Sequence, residues 1–276
     1  YVVDVDTGLL NPRNQEDKTD VSILCDAETF LHELERQWRN AYTSYYDQGG
    51  DWERHTEKRA AWWKQTVDWR KHYDPWHVAF EKRPELYIKE GVHPYAFVRK
   101  LSELAPANAI IVYDCGGNAV VMNHACQTKR GQRYFSNNGN SPMGFALAAA
   151  IGAWFADPSR PVICVIGDGG MQVNIQELQT IKNYGVNVNV FILDNRVYGI
   201  TQAFQKTHYP NRPPEASGPS NYSAPDFVAV TLSYGIRAWR ITSSRDIDEA
   251  IDWMLNKPSA GVCVVSSPGF CDYWPA

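Results

Sequence analysis

No run of apolar residues in this sequence approaches the roughly 18 that a helix needs to cross a bilayer. The longest, residues 146–151 and 162–166, suit a buried helix and a buried strand, so no membrane span is expected. An excess of basic charge is also missing. Lys and Arg number 27 against 31 Asp and Glu, for a net charge of −4, which speaks against nucleic acid or an anionic membrane surface as the main partner, since both reward a basic face. Paired cysteines are absent too: Cys25, Cys115, Cys126, Cys164, Cys263 and Cys271 are scattered without CxxC or metal spacing. They read as free thiols in a reducing, cytoplasmic setting, with a disulfide framework disfavoured. Nothing has the pattern of a signal peptide. The chain opens on Tyr1 in a strand-like stretch, which suggests that it starts inside a longer protein.

What is present is an ordinary globular composition, 276 residues with 44% hydrophobic and 21% charged, long enough to bury a substantial core. Two textures divide it. Residues 28–83 are rich in Trp, Tyr, Arg and Glu, with Trp38, Trp52, Trp62, Trp63, Trp69 and Trp76 along helical-looking segments and glycine confined to Gly49 and Gly50. This reads as a helical linker that packs aromatic faces against a neighbour. From about residue 86 short β-branched runs (109–113, 161–166, 188–193, 235–241, 261–265) alternate with stretches of helical spacing (94–104, 143–155, 175–184, 225–234, 246–255). The pattern predicts an α/β fold, a doubly wound, mostly parallel sheet with helices on both faces. Ligands of such sheets bind beyond the carboxyl ends of the strands, where strand order reverses, so the residues just after each strand matter most.

One junction carries chemistry. The strand at 162–166 runs into Gly167-Asp168-Gly169-Gly170, with a helix expected to begin near Val173 or Asn174. Glycines there let the backbone turn tightly and lay its N–H groups against an anion, and a helix N-terminus adds free N–H groups and partial positive charge. An acidic Asp168 at a phosphate site calls for a cation; with Mg²⁺ or Ca²⁺ it becomes a ligand that bridges protein and phosphate. The next strand ends in Asp194-Asn195-Arg196-Val197-Tyr198-Gly199. Neighbouring parallel strands would bring Asp168 and Asn195 side by side at one sheet edge. The carboxylate, the amide carbonyl, a backbone carbonyl, two phosphate oxygens and a water then complete an octahedron. A nicotinamide-binding reading fits poorly, because residues 167–170 lack the third glycine and put an acid where a pyrophosphate would meet bare backbone.

Gly167-Asp168-Gly169 followed after the next strand by Asp194-Asn195 resembles the signature of the thiamine diphosphate (ThDP)-dependent enzymes, many of which have Asn-Asn at the second place. Residues 167–178 and Met143-Gly144-Phe145-Ala146-Leu147 look closest to the acetolactate synthase-like branch, and Tyr113-Asp114-Cys115-Gly116-Gly117-Asn118 resembles the first strand and loop of the family's C-terminal domain. The resemblance divides the chain into residues 1–85, the tail of a central domain and a helical linker, and residues 86–276, the C-terminal, diphosphate-binding domain. It implies Mg²⁺ held by Asp168, Asn195 and the backbone carbonyl of Val197. Gly167, Gly169, Gly170, Gly199 and Ile200 would offer backbone contacts to the diphosphate, with Gly117 and Asn118 reaching it from the other side, where synthases often have Gln-His. Met143 matches the bulky apolar residue under the bent cofactor, and the backbone of Ser141 and Met143 would meet the aminopyrimidine edge. Glu177 matches an acid near the reactive face of related decarboxylases, although a Glu in a first turn is also favourable through the helix dipole. Phe204 stands where typical synthases carry a Trp near the substrate channel.

In that family a glutamate of a separate pyrimidine-binding domain activates the cofactor, usually across a subunit interface, and no second glycine-rich α/β unit is present here to supply it. The resemblance therefore implies half of a carboligase acting on a small 2-oxo acid, a homodimer or tetramer when full length, with FAD as a structural cofactor of some relatives. A simple 2-oxo acid decarboxylase, another ThDP lyase or transferase, and a non-catalytic ThDP-binding module stand as alternatives.

Overall fold

Val162-Ile163-Cys164-Val165-Ile166 is apolar at every position and mostly β-branched, a composition suited to a strand covered on both sides, and it forms the centre of a six-stranded sheet. The computed structural model describes residues 2–5, 22–47, 52–73, 91–215, 217–218, 221–269 and 273. The chain divides into two compact units, Tyr1–Asp68 and Trp69–Ala276. The domain boundary expected near residue 85 lies outside the described residues, as do Trp76 and Cys271.

In the first unit β1 (Val2–Asp4) pairs in parallel with β2 (Ser22–Leu24), and helix α1 (Ala27–Asp47) follows. The Asp26 carboxylate accepts the Thr29 N–H at 3.1 Å, an N-cap that satisfies a donor the helix itself cannot. Helix α2 (Trp52–Tyr73) spans the division between the units. Trp38, Trp62, Trp63 and Trp69 are all exposed in this chain.

The second unit is built on a wholly parallel sheet. Its strands are β3 (Ile110–Tyr113), β4 (Arg133–Phe135), β5 (Val162–Gly167), β6 (Val188–Asp194), β7 (Arg237–Ile241) and β8 (Gly261–Ser266), in the order β4-β3-β5-β6-β8-β7. Side chains alternate between two cores along each strand, as the two-residue period of a strand requires. Ile111, Tyr113, Ile163, Val165, Phe191, Leu193, Cys263 and Val265 face one core with α3 (Pro94–Leu104), α4 (Gly117–Ala125) and α10 (Ile247–Leu255). Ile110, Val112, Cys164, Ile166, Val190, Ile192 and Val264 face the other with α5 (Phe145–Ala156), α7 (Glu177–Tyr184) and α9 (Phe227–Ser233). Phe97 of α3 meets Phe191 of β6 at 5.2 Å between ring centroids; burying each ring contributes roughly 1.5–3 kcal/mol. This is the doubly wound α/β fold the alternation predicts.

The local differences have plain causes. The helix after the glycine junction, α6 (Asp168–Val173), begins at Asp168 itself and not near Val173. Gly167 is still extended (φ −77°, ψ 160°) and acts as the N-cap, while Gly169 and Gly170, poor helix formers in isolation, are held helical by the packing around them. Helix α8 (Gly199–His208) and strand β4 also escape a periodicity reading, β4 because it has only three residues. The five described cysteines are free. No helix among the described residues is long and apolar enough to cross a membrane.

Candidate cofactor and metal site

From β3 the chain passes through α4, on one face, out to the edge strand β4, and then returns through α5, on the opposite face, to β5. Strand order reverses there, so the loops leaving β3 and β5 splay apart and open a crevice. A cavity of about 390 Å³ occupies it, lined by the loops after β3, β5 and β6 and by Ser141 and Met143 ahead of α5. Three aspartates end or follow the three adjacent strands: Asp114 after β3, Asp168 after β5 and Asp194 at the end of β6. Each is at most 3% exposed. A buried carboxylate must be hydrogen-bonded or paired, and the three differ in how far they are.

Asp114 is held by amides. Its Oδ2 accepts the Gly144 N–H at 3.0 Å and its Oδ1 the Ala146 N–H at 3.2 Å. Burial raises its pKa, while the backbone donors of Gly144, Ala146, Cys115 and Phe145 pull it back. Asp114 thereby ties the start of α5 to the end of β3 and fixes the turn just before it, in which Gly144 is left-handed (φ +83°) and Ser141 adopts the left-handed conformation rare for a side-chain-bearing residue (φ +46°). The same carboxylate closes on α6: a Cβ on Gly170 would overlap Asp114 Oδ2. Glycine at 170 is thus required by close approach.

Asp194 is held by a cation. Arg196 Nε lies 2.9 Å from its Oδ1 and 3.1 Å from its Oδ2, and the Arg196 guanidinium also donates to the Ala224 carbonyl at 2.7 Å. Arg196 is left-handed (φ +60°), which turns the chain sharply between Asn195 and Val197.

Asp168 has neither solution in full. Its Oδ1 accepts the Gly169 N–H and its Oδ2 the Arg196 N–H, both at 3.0 Å, and it makes no ion pair among the described residues. Burial first, and the charge of Asp194 second, push its carboxyl up to about 7. The site accordingly carries a carboxylate that a cation would stabilise. The strand register pairs Gly167 with Leu193, so Asp194 is the direct neighbour of Asp168 and Asn195 lies one residue further on; Asn195 and Val197 line the same cavity as Asp168. Among the described residues no three His, Cys, Asp or Glu gather to hold a metal. One carboxylate supplemented by neutral oxygens suits a hard ion such as Mg²⁺, which keeps non-protein oxygens in its shell, and not zinc.

The other residues singled out in the sequence divide. Gly167, Gly169, Gly170, Gly199, Ile200, Ser141, Met143, Gly117 and Asn118 all line the cavity. Met143 is 41% exposed, so it is not core filler, and its methyl group lies over Gly169, where a Cβ would come within 3.1 Å of it. Asn118 turns its amide nitrogen to the Val165 carbonyl at 3.1 Å, leaving Oδ1 buried without a partner. Gly117 makes room for the Tyr273 hydroxyl, with which a Cβ would collide. Glu177 is not among the lining residues: it opens α7, and its carboxylate accepts the Thr180 hydroxyl at 2.7 Å within that helix. Apart from these residues, and outside the cavity, His124 contacts the Tyr95 hydroxyl at 3.1 Å, and the Trp239 and Trp253 rings meet at 5.6 Å between centroids. Asp114, Tyr198 and Tyr222 belong to the site without having been singled out. Asp114 alone had a signal, its place directly after a strand.

The model of the thiamine pyrophosphate enzyme C-terminal TPP-binding domain matches residues 114–266, from Asp114 at the crevice to the end of β8. The chain belongs to this family. Within the thiamine pyrophosphate enzymes it is similar to the probable acetolactate synthase large subunit of Methanococcus aeolicus, 40% identical over 54% of this chain and 24% of the relative. It is 30% identical to the acetolactate synthase large subunit of Cyanidium caldarium over 76% of this chain and 34% of the relative. The acetolactate synthase isozyme 2 large subunit of Escherichia coli strain K12 is 29% identical over 67% and 33%. The chain therefore spans about a quarter to a third of the length of these relatives and is a TPP-binding C-terminal domain of the acetolactate synthase-like kind.

Proposed function

We propose that the chain is the diphosphate-binding half of a ThDP-dependent, 2-oxo acid decarboxylating carboligase of the acetolactate synthase type. The observation that carries this is Asp168, a buried carboxylate without a cation partner at the switch-point crevice of a TPP-binding domain. When bound, ThDP supplies the electron sink for decarboxylating a 2-oxo acid and passing on what remains.

The chain's own residues bind and orient. Asp168, Asn195 and the Val197 carbonyl hold Mg²⁺, while backbone groups of Gly167, Gly169, Gly170, Gly199 and Ile200 take the diphosphate, helped by the N-terminal end of α6. Gly117 and Asn118 close the other side. Ser141 and Met143 present their backbone to the aminopyrimidine and the Met143 side chain supports the ring from beneath. Glu177 is given no step. The glutamate that activates the cofactor belongs to a pyrimidine-binding domain, and the exposed Met143, Ile200 and Phe204 side chains offer that domain, on a second subunit, an apolar surface beside the cavity. Ile200 and Phe204 are one turn apart on α8, hence on one face. The full-length protein is read as a homodimer or tetramer, cytoplasmic, with the domain division near residue 85; no residue of this chain is assigned to FAD.

Calorimetry with the purified chain tests this. ThDP is expected to bind one-to-one in the presence of Mg²⁺ and not in the presence of EDTA, and the chain with Mg²⁺ and ThDP is expected to leave pyruvate unconsumed. Binding indifferent to EDTA would overturn the metal assignment; turnover by the chain alone would overturn its incompleteness. Met143→Ala separates support from packing. Because the side chain is half-exposed, the thermal stability should change by less than about 1 kcal/mol, while Mg²⁺–ThDP affinity falls about tenfold through the lost apolar contact.

A further inference from the structure

Tyr222 stands on the segment between α8 and α9 and reaches the metal-binding aspartate through the fold alone. Gln172 Nε2 donates to the Tyr222 hydroxyl oxygen at 3.0 Å and to the Ser223 carbonyl at 3.3 Å. Gln172 lies one turn after Asp168 on α6, so the two side chains share a side of that helix. A phenol has a single O–H to donate. With the Gln172 amide donating to its oxygen, the Tyr222 proton is left to point elsewhere, and the Asp168 carboxylate lies near enough that its charge adds to burial in raising the phenol's pKa. The Tyr222 ring is 8% exposed and packs on the Tyr198 ring at 4.4 Å between centroids, while Tyr198 lies against Gly169, close enough that a Cβ there would come within 2.6 Å of it. Two tyrosines and a glutamine thus stand around Asp168, Tyr198 also lining the cavity.

We propose that Tyr222, oriented by Gln172, is a positioning residue for the metal, holding the Asp168 carboxylate so that its remaining lone pairs face Asn195 and the cavity. The proposal rests on the reading of Asp168 as the Mg²⁺ ligand. Hydrogen bonds to ligating carboxylates fix their orientation, and losing them typically costs 10–100-fold in metal affinity. A tyrosine that only filled space would be replaced without loss by phenylalanine, which keeps the contact with Tyr198.

The test is a titration of the chain with Mn²⁺ at saturating ThDP, followed by electron paramagnetic resonance, in the wild type, Tyr222→Phe and Gln172→Met. For Tyr222→Phe the Mn²⁺ dissociation constant is expected to rise at least tenfold while the thermal midpoint falls by no more than about 4 °C. At saturating Mn²⁺ the ThDP affinity should return to within about threefold of wild type, since only the metal step is weakened. Gln172→Met should shift the metal affinity in the same direction by a smaller factor, and it carries the test if Tyr222→Phe does not fold. Unchanged Mn²⁺ affinity in both variants overturns the proposal, as does a loss of ThDP affinity that excess metal does not restore, the mark of a merely structural role. A wild-type chain that takes up no Mn²⁺ with ThDP would instead overturn the metal reading of Asp168, and this proposal with it.

Discussion

Asp168→Asn is expected to weaken Mg²⁺-dependent ThDP binding about 100-fold or more and, in the same variant, to make the metal-free chain relatively more stable at pH 8 than at pH 5. Both effects come from one charge. Mg²⁺ binding by oxygen ligands depends on their charge, and an asparagine offers none. In the metal-free chain that charge is a burden. The Asp168 carboxyl titrates near 7 when folded, against an ordinary 3.8, chiefly through burial. A carboxyl raised on folding binds more protons folded than unfolded between those values, so its contribution to stability is fully present below about pH 4 and is lost as pH rises through 7.

Roughly three units correspond to at most about 4 kcal/mol. Asparagine forgoes that pH-dependent loss, but its NH₂ cannot accept from both the Gly169 and Arg196 N–H groups, which costs about 1–3 kcal/mol at every pH. Thermal melts in EDTA should therefore show the variant less stable than wild type at pH 5 and equal or more stable at pH 8. Parallel pH profiles for the two proteins would sink this account of Asp168. For the wild type the same titration means that a proton competes with the metal below pH 7, so apparent metal affinity should fall by up to tenfold per pH unit there.

The second large effect is expected from Gly170→Ala. The added methyl would overlap Asp114 Oδ2 and come within 3.2 Å of Ile166 Cγ1. The carboxylate cannot swing aside without releasing the Gly144 and Ala146 amides, so the strain passes into the Met143 turn. Overpacking of a rigid core costs about 1–3 kcal/mol and sometimes more; here a fall in melting temperature of roughly 5–10 °C is expected, together with loss of cofactor binding. Gly167→Ala is the contrast. No heavy atom lies within 4 Å of a Cβ at that position and its φ of −77° suits any residue, yet it lines the cavity. Its stability should stay within about 1 kcal/mol of wild type while ThDP binding weakens. Equal melting temperatures for the two alanine variants would show that Asp114 yields, and that its hold on the turn is loose.

The two crevice loops were legible because their parts are local: Gly167–Gly170 and Asp194–Gly199 directly follow strands whose hydrophobicity announces them, and the register of β5 on β6 then brings them together. The central strands were legible for the same reason, since burial on both faces leaves a nearly unbroken apolar run in β5, β6 and β8. Tyr222 was not. It follows no strand and has no spacing relation to Asp168; only the folded segment after α8 delivers it. The start of α6 at Asp168 was also hidden, because glycines at 169 and 170 argue locally for a turn and the contacts that hold them helical, Tyr198 on one and Asp114 on the other, come from distant sequence. Helix α4 escaped for a similar reason, opening on Gly117 beneath Tyr273.

The uneven treatment of the three aspartates bears on the order of events when ligands arrive. Amides hold Asp114 and a guanidinium pairs with Asp194, so on the proposed reading a divalent ion entering the crevice alone would find Asp168 as its one unengaged carboxylate, too little to hold it firmly. A diphosphate arriving alone meets an unshielded Asp168 and is repelled. Each becomes welcome only in the other's company, and thermodynamic reciprocity makes the mutual gain identical. On the proposed reading the pocket would recognise a salt rather than an ion. Free Mg²⁺ and free phosphate esters, however abundant, would pass it by.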